Sequence, residues 1–229
     1  MENGYPMREL SPDEQIKKEN AELRQENAEL RKKIEELQEK SQHDFLTGLY
    51  NRDFFQQQAG KKVDQINKPF SDERRERGAL KDVAVIFIDV DNFKWINDEF
   101  GHEAGDRVLR EVAEALKSSV RGDKDVAARI GGEEFAVLMS DTTEEMARKK
   151  AEDLLKQISR RTTMQMGSNL SDPFISVEAS MGVAEFKKGE NLSDFISRSD
   201  KAMYIAKESG KNQVVAFSEI PEQESAEND

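Results

Sequence analysis

The chain of 229 residues has no cysteine, which excludes disulfides and thiolate metal sites and fits a reducing compartment. It also lacks a positive balance: 35 Lys and Arg stand against 47 Asp and Glu, a formal charge of −12. That argues against nucleic acid or an anionic membrane as the main partner, since both reward a basic surface. No apolar run approaches the roughly 18 residues that a bilayer span needs, and the polar N-terminus has no signal-peptide core. The expectation is a soluble, cytoplasmic protein of one sizeable domain plus an appendage.

The appendage is defined by a further absence. From Ser11 to about Gln42 there is no glycine, and no proline after Pro12. Within that stretch Ile16, Leu23, Leu30 and Leu37 recur every seventh residue. As heptad d positions they put Asn20, Asn27 and Ile34 at a, with Glu19 facing Arg24 and Glu26 facing Arg31 across the seam. Asn at a selects a parallel two-stranded register at some cost in stability. Residues 11–42 are therefore expected to form a parallel dimeric coiled coil, with a single solvated helix as the alternative. Residues 1–10 are expected to be disordered or the remnant of an upstream segment.

After Gly48 the pattern changes. A helix is expected from about Asn51 to Asn67, then a charged surface loop from Lys68 to Gly78. Val83 to Ile88 is a continuous apolar run that suits a strand buried on both faces. A helical stretch follows Asp91, Gly101 breaks it, and Val108, Val112, Leu116 and Val120 mark the face of another. Two apolar runs around Gly131 and Gly132 read as a hairpin, glycine accepting the positive backbone angles of tight turns. A helix buried through Ala147, Ala151, Leu154 and Ile158 precedes a strand alternating from Ile175 to Val183. Leu192 to about Ser209 is a last helix, Gln213 to Phe217 a last strand, and residues 219–229 an acidic tail expected to be disordered. The order is the β-α-β-β-α-β of split-βαβ folds, an α+β architecture with a central, mainly antiparallel sheet.

That topology brings the end of the first strand to the hairpin turn. Asp89 and Asp91 then meet Glu133 and Glu134, and two carboxylates about 4 Å apart repel by roughly 4 kcal/mol at an effective dielectric near 20. Such a cluster protonates, stays solvated or binds a cation; oxygen ligands without His or Cys nearby point to magnesium or manganese. The missing side chains of Gly131 and Gly132 leave room for a bulky anion such as a nucleotide. Lys94 can neutralise phosphate charge, Asn97, His102 and Asp106 form a polar series suited to a guanine edge, and Lys207 and Lys211 can meet outer phosphates.

Four ordered motifs carry a resemblance. They are Asp-Phe-Leu-Thr-Gly-Leu-Tyr-Asn-Arg at 44–52, Asp-Val-Asp-Asn-Phe-Lys-Trp-Ile-Asn-Asp at 89–98, Phe-Gly-His-Glu-Ala-Gly-Asp at 100–106 and Arg-Ile-Gly-Gly-Glu-Glu-Phe at 129–135. Together they resemble GGDEF-family diguanylate cyclases, whose palm-like, ferredoxin-like domain residues 43–218 would form. The resemblance implies condensation of two GTP into cyclic di-GMP with release of two pyrophosphates, in a homodimer holding one GTP per protomer. It implies magnesium on Asp89, Glu133 and the Val90 carbonyl with Glu134 beside them, Glu133 as base and Lys94 as transition-state stabiliser. It puts substrate against Asn92, Phe93, Lys94, Asn97, His102 and Asp106, and the γ-phosphate against Lys207 and Lys211. Lys211 stands where the family often has Arg, exchanging a bidentate contact for a point charge.

One departure concerns the family's inhibitory product site, an Arg-x-x-Asp ending five residues before the double glycine. Here the stretch is Arg121-Gly122-Asp123-Lys124-Asp125, so Asp125 is in register and Arg121 is one residue too far, with Gly122 in its place. A bulge would be needed to bring Arg121 back. A non-catalytic GTP-binding module used for signalling or scaffolding is the alternative function, and an upstream sensor or receiver domain is the expected source of regulation.

Overall fold

A computed structural model of the chain describes residues 42–68, 80–162, 164–165 and 174–221, with residues 18, 20, 21, 23–30 and 33 near the N-terminus. The chain divides into two units, Met1–Gln42 and His43–Asp229. In the first, the described residues are helical and exposed, Leu23 and Leu30 included at 48% and 51%. Of the heptad positions, Ile16, Ile34 and Leu37 lie outside the described residues, as do most of the loop expected at 68–78 and tail residues 222–229.

The second unit is a five-stranded sheet with helices on both faces. In chain order its elements are α1 (Arg52–Asn67), β1 (Val83–Val90), α2 (Phe93–Phe100), α3 (His102–Ser119), β2 (Val126–Arg129), β3 (Glu134–Ser140), α4 (Glu144–Arg161), β4 (Met164–Gln165), β5 (Phe174–Ile175), β6 (Ala179–Glu185), α5 (Leu192–Glu208) and β7 (Val214–Ala216). The sheet order is β2-β3-β1-β6-β7, antiparallel except for the parallel pair β6–β7, while β4 and β5 form a separate ribbon. The expected β-α-β-β-α-β order is present, with β1 at the sheet centre.

All eight residues of β1 are buried, because helices cover both of its faces. Ala84, Ile86, Ile88 and Val90 pack with Val108, Val112 and Leu116 of α3 and Leu154 and Ile158 of α4. Val83, Val85 and Phe87 pack with Phe55 and Val63 of α1 and Phe195 and Met203 of α5. Truncating a residue such as Ile86 to Ala would cost about 2–5 kcal/mol. Helix starts follow side-chain caps: Asn51, Thr143 and Asn191 accept from the amides of Phe54, Met146 and Asp194. The expected inner face of α4, Ala147, Ala151, Leu154 and Ile158, is the buried one. At Gly182 the sheet and α5 meet backbone to backbone; a Cβ there would lie 2.0 Å from the Ser199 carbonyl and 2.1 Å from the Met203 nitrogen.

Two boundaries differ from expectation. The strand expected from Ile175 to Val183 begins at Ala179 and runs to Glu185, and Phe174–Ile175 pairs in the ribbon instead. The intervening residues bond elsewhere: Val177 N donates to Thr162 Oγ1 at 3.1 Å, and Asp91 N donates to the Glu178 carbonyl at 2.9 Å. At the other end, order continues past Ser218. Glu219 closes a 3₁₀ turn and pairs with Arg148 at 3.1 Å, and Ile220 is buried.

Candidate active site

The last pair of the β1–β3 ladder sets Asp89 opposite Glu134, and Val90 N donates to the Glu133 carbonyl at 3.2 Å. The end of β1 thus lies against the glycine turn, as the topology required. Asp89 is 5% exposed and its carboxylate takes an ion pair from Lys207 Nζ at 2.7 Å. Burial pushes the Asp89 carboxyl above its usual range; Lys207 opposes this, while Glu133 and Glu134 add to it. No hydrogen bond or ion pair reaches the carboxylates of Glu133 and Glu134 among the described residues.

The turn owes its glycines to space rather than to backbone angle. Neither Gly131 nor Gly132 adopts the left-handed conformation expected of a tight hairpin. A Cβ at Gly131 would sit 2.3 Å from Glu134 Oε2, so the glycine leaves that carboxylate its place beside the backbone. A Cβ at Gly132 would project into open space, the side from which a ligand can approach.

Helices α2 and α3 form the next wall. They meet at Gly101, whose φ of 82° is a conformation that side chains resist. Asn97 packs its amide over α3, where Gly105 makes room: a Cβ there would lie 2.0 Å from Asn97 Oδ1. Lys94 and His102 are exposed, and with half-buried Asn97 they have no side-chain hydrogen bond or ion pair among the described residues. Asp106 pairs loosely with Arg110 at 3.8 Å on the α3 surface. Phe93 is 8% exposed and belongs to the core, so its ring supports the wall rather than facing solvent.

The loop after α5 closes the arrangement. Lys211 Nζ donates to Asn92 Oδ1 at 2.7 Å, and Lys211, Asn212 and Asn92 all have positive φ. Asp91, expected beside Asp89 in the carboxylate cluster, has another task. Its buried carboxylate accepts from Ser180 Oγ at 2.8 Å and Asn212 N at 2.9 Å, which ties the lysine-bearing loop to the sheet.

Arg121 and Asp125 do meet. The segment turns so that Asp125 N donates to the Arg121 carbonyl, and the guanidinium forks onto Asp125 with both bonds at 2.9 Å. Arg121 also reaches the Ser140 carbonyl at 2.6 Å and Thr142 Oγ1 at 3.1 Å. Burial pushes the Asp125 carboxyl up, but bonds from Arg121 and Ser140 outweigh it and hold the group below its usual range. The misspacing visible in the sequence is absorbed by this turn, and the two side chains satisfy one another.

Two residues of the motifs acquire a place that the motifs alone did not give. Arg129 lies between the turn and the first motif, pairing with Asp44 at 3.2 Å while donating to the carbonyls of Gly131 and Gly132. Burial raises the Asp44 carboxyl, yet bonds from Thr47 and Arg129 bring it below the usual range. On the α1–α5 side of the hairpin a cleft of about 340 Å³ is lined by Arg52, Phe87, Glu134 and Asp200 among others.

The donor set fits a hard divalent cation. It is all oxygen, from Asp89, Glu133, Glu134 and the strand-end carbonyl of Val90, and the buried Asp89 carboxylate already holds a positive charge, the Lys207 ammonium. Among the described residues no three such groups are already drawn into one cluster. No helix among them is long and apolar enough to cross a membrane.

Comparison with known proteins matches residues 41–213 to the family described as diguanylate cyclase, GGDEF domain. Diguanylate cyclase A of Treponema denticola is 40% identical over 133 residues, 58% of this chain and 34% of that protein. The response regulator PleD of Caulobacter vibrioides is 39% identical over 173 residues, 75% of this chain and 35% of its own length. The matches thus span about a fifth to a half of the length of the curated relatives. Among solved structures, the coiled coil and GGDEF domain of DgcB from Caulobacter crescentus, in complex with c-di-GMP, superposes with a TM-score of 0.71 at 26% identity, covering 88% of this chain and 98% of that one. With the palm-like α+β fold and the glycine turn at the end of β1, the chain belongs to the GGDEF-domain diguanylate cyclase family.

Proposed function

We propose that this chain condenses two GTP into cyclic di-GMP, releasing two pyrophosphates, as a homodimer with one GTP per protomer. The observation that carries the reading is a set of polar side chains without a hydrogen bond or ion pair among the described residues: Glu133 and Glu134 on the turn at the end of β1, and Lys94, Asn97 and His102 on the helices that follow β1. Such groups, carried by segments that adjoin the end of the central strand, suit a ligand that supplies their partners. The named diguanylate cyclases among its relatives give the class of reaction.

Magnesium, or manganese in its place, would be held by Asp89, Glu133, the Val90 carbonyl and Glu134, and would neutralise charge on the bridging phosphates. Glu133 takes the proton from the 3′-hydroxyl as its oxygen attacks the α-phosphorus of the GTP on the partner protomer, and pyrophosphate leaves. The same step in the opposite sense closes the ring. Lys94 stabilises charge at the reacting phosphate, while Asn97 and Asp106 read the guanine edge and His102 flanks the nucleoside. Lys207 and Lys211 meet the γ-phosphate; a cation held by Asp89 would free Lys207 from its ion pair there for that role. Asn92 supports this by holding Lys211 at 2.7 Å.

The domain organisation follows: a parallel coiled coil over 11–42 pairs two catalytic domains that run from residue 43 through Ile220. Its support is the exposed leucine stripe at Leu23 and Leu30 and the coiled coil present in the DgcB structure. An upstream sensor or receiver domain would then act through the coil, and GTP and magnesium put the reaction in the cytoplasm. Feedback by product through Arg121 and Asp125 is not expected, because each already satisfies the other. Purified protein given GTP and magnesium should yield cyclic di-GMP, and Glu133→Gln should abolish it while GTP still binds. A confirmed dimer that binds GTP without turnover would overturn this in favour of a binding module.

A further inference from the structure

Arg129 makes the most connected side-chain contact at the turn. Its Nε donates to the Gly131 carbonyl at 3.1 Å and the Gly132 carbonyl at 3.2 Å, and a terminal nitrogen reaches the Gly132 carbonyl at 2.6 Å. The other terminal nitrogen bonds both oxygens of Asp44, at 3.2 and 3.3 Å. The ion pair is well shielded, with side chains 14% and 16% exposed. Asp44 is itself fixed: Thr47 donates to it through its hydroxyl at 2.6 Å and its amide at 2.9 Å. The segment carrying Asp44 is docked on the edge of β2, where Tyr50 N donates to the Ala127 carbonyl and Arg129 N to the Tyr50 carbonyl.

Backbone bonds hold the turn at its ends, from Ile130 N and Gly131 N to the Glu134 carbonyl and from Val90 N to the Glu133 carbonyl, and leave its middle to Arg129. Gly131 and Gly132 have no side chains, and the amides of Gly132 and Glu133 donate no hydrogen bond among the described residues. An ungripped glycine pair samples many conformations, which would spread the position of Glu133. A planar guanidinium with its donors in a fixed fork can grip two successive carbonyls and a carboxylate at once; a lysine cannot.

We propose that Arg129 is the positioning residue of the glycine turn. Anchored by Asp44, it holds the turn by its carbonyl oxygens, so that the amides of Gly132 and Glu133 and the Glu133 carboxylate stay aimed at the nucleotide. The proposal rests on the cyclase reading for its kinetic consequence but not for its structural one.

The test uses the full chain with Arg129→Lys, Arg129→Gln and Asp44→Asn, against Val63→Ala, a core truncation in α1 remote from the turn. Turnover of GTP, binding of a non-hydrolysable GTP analogue with magnesium, thermal midpoint and amide hydrogen exchange over 130–135 are measured for each. Arg129→Lys should lower kcat by about 10- to 100-fold, the range expected from roughly 1 Å of misplacement, with KM changed by less than about threefold. Exchange of the Ile130 and Gly131 amides, which donate to the Glu134 carbonyl at 2.8 and 3.3 Å, should quicken by about tenfold or more, since the turn that closes those bonds opens more often. Val63→Ala should lower the thermal midpoint yet keep kcat within about twofold below that midpoint, because it touches only the core. Exchange of the Ile130 and Gly131 amides within about twofold of wild type in Arg129→Lys overturns the proposal, whatever kcat does. If the wild type makes no product, the cyclase reading fails alone, and exchange and analogue binding still decide the role of Arg129.

Discussion

Replacing Lys207 with methionine would expose how Asp89 is held. The pair is short, 2.7 Å, and asymmetric, with the Asp89 side chain 7% exposed and that of Lys207 31%. Coulomb attraction at that distance is about 6 kcal/mol at an effective dielectric of 20, most of it offset by the desolvation of Asp89. Removing one partner from a fully buried pair costs about 3–5 kcal/mol; the partial exposure of Lys207 reduces this to about 1–2. Methionine fills a similar volume, so little of the loss arises from a cavity. For a domain of this size the midpoint should fall by about 2–8 °C. The pH dependence gives the cause. Burial already raises the Asp89 carboxyl above 3.8, so the folded state binds its proton more readily than the unfolded state. Stability from this group is full below 3.8 and is lost as pH rises through the folded value. Loss of Lys207 moves that value further up, so the gap between variant and wild type should be small near about pH 5 and widen toward about pH 8. Millimolar magnesium should then narrow it, because a bound cation stabilises the folded state by mass action. Thermal melts across pH, with and without magnesium, are the assay. A gap below about 1 °C, or one flat across that pH range, would refute the reasoning.

Other perturbations separate binding from stability. Gly105→Ala puts a Cβ 2.0 Å from Asn97 Oδ1 and 3.1 Å from the buried Phe93 ring, so KM for GTP should rise about tenfold while crowding offsets the gain in helix propensity and the melting point changes by less than about 4 °C; steady-state kinetics and melts together check this. Arg121→Ala should cost about 1–2 kcal/mol, the half-exposed arginine discounting the loss of a buried pair, as read by denaturant unfolding. Because the Asp125 carboxyl lies below its usual 3.8, its contribution should persist above that value and fade as pH drops further. Turnover of the wild type should be unchanged by added cyclic di-GMP. Asn20→Leu with Asn27→Leu should change activity together with oligomer state; unchanged mass and kinetics would count against the coiled coil.

Much of this was legible in the sequence where one physical rule dominated. The continuous apolar run at β1 announced burial on both faces, and the i, i+4 spacing of Ala147, Ala151, Leu154 and Ile158 announced the inner face of α4. Strand ends were less legible, since residues 176–178 are claimed by Thr162 and Asp91, partners remote in sequence. The same limit hid the division of labour between Asp89 and Asp91. Two residues apart on one strand, they look alike until Ser180 and Asn212 take the second. For the turn, composition was right and the reason different: the glycines clear space for Glu134 and for a ligand, with no left-handed backbone. Arg129 stood inside a recognised motif, yet its fork onto two carbonyls depends on a contact 85 residues away.

Gly182 sets a mechanical tolerance for the whole site. Helix α5 carries Lys207 and ends just before Lys211, and its clearance from the sheet is fixed by contact between two backbones, with no side chain between them to yield. Any substitution there would shift α5 bodily outward and carry both lysines with it. Such a variant would keep every residue of the motifs, lose stability to the displaced helix, and move both lysines away from the place proposed for the γ-phosphate. In a mutational screen it would masquerade as a lesion at the active site.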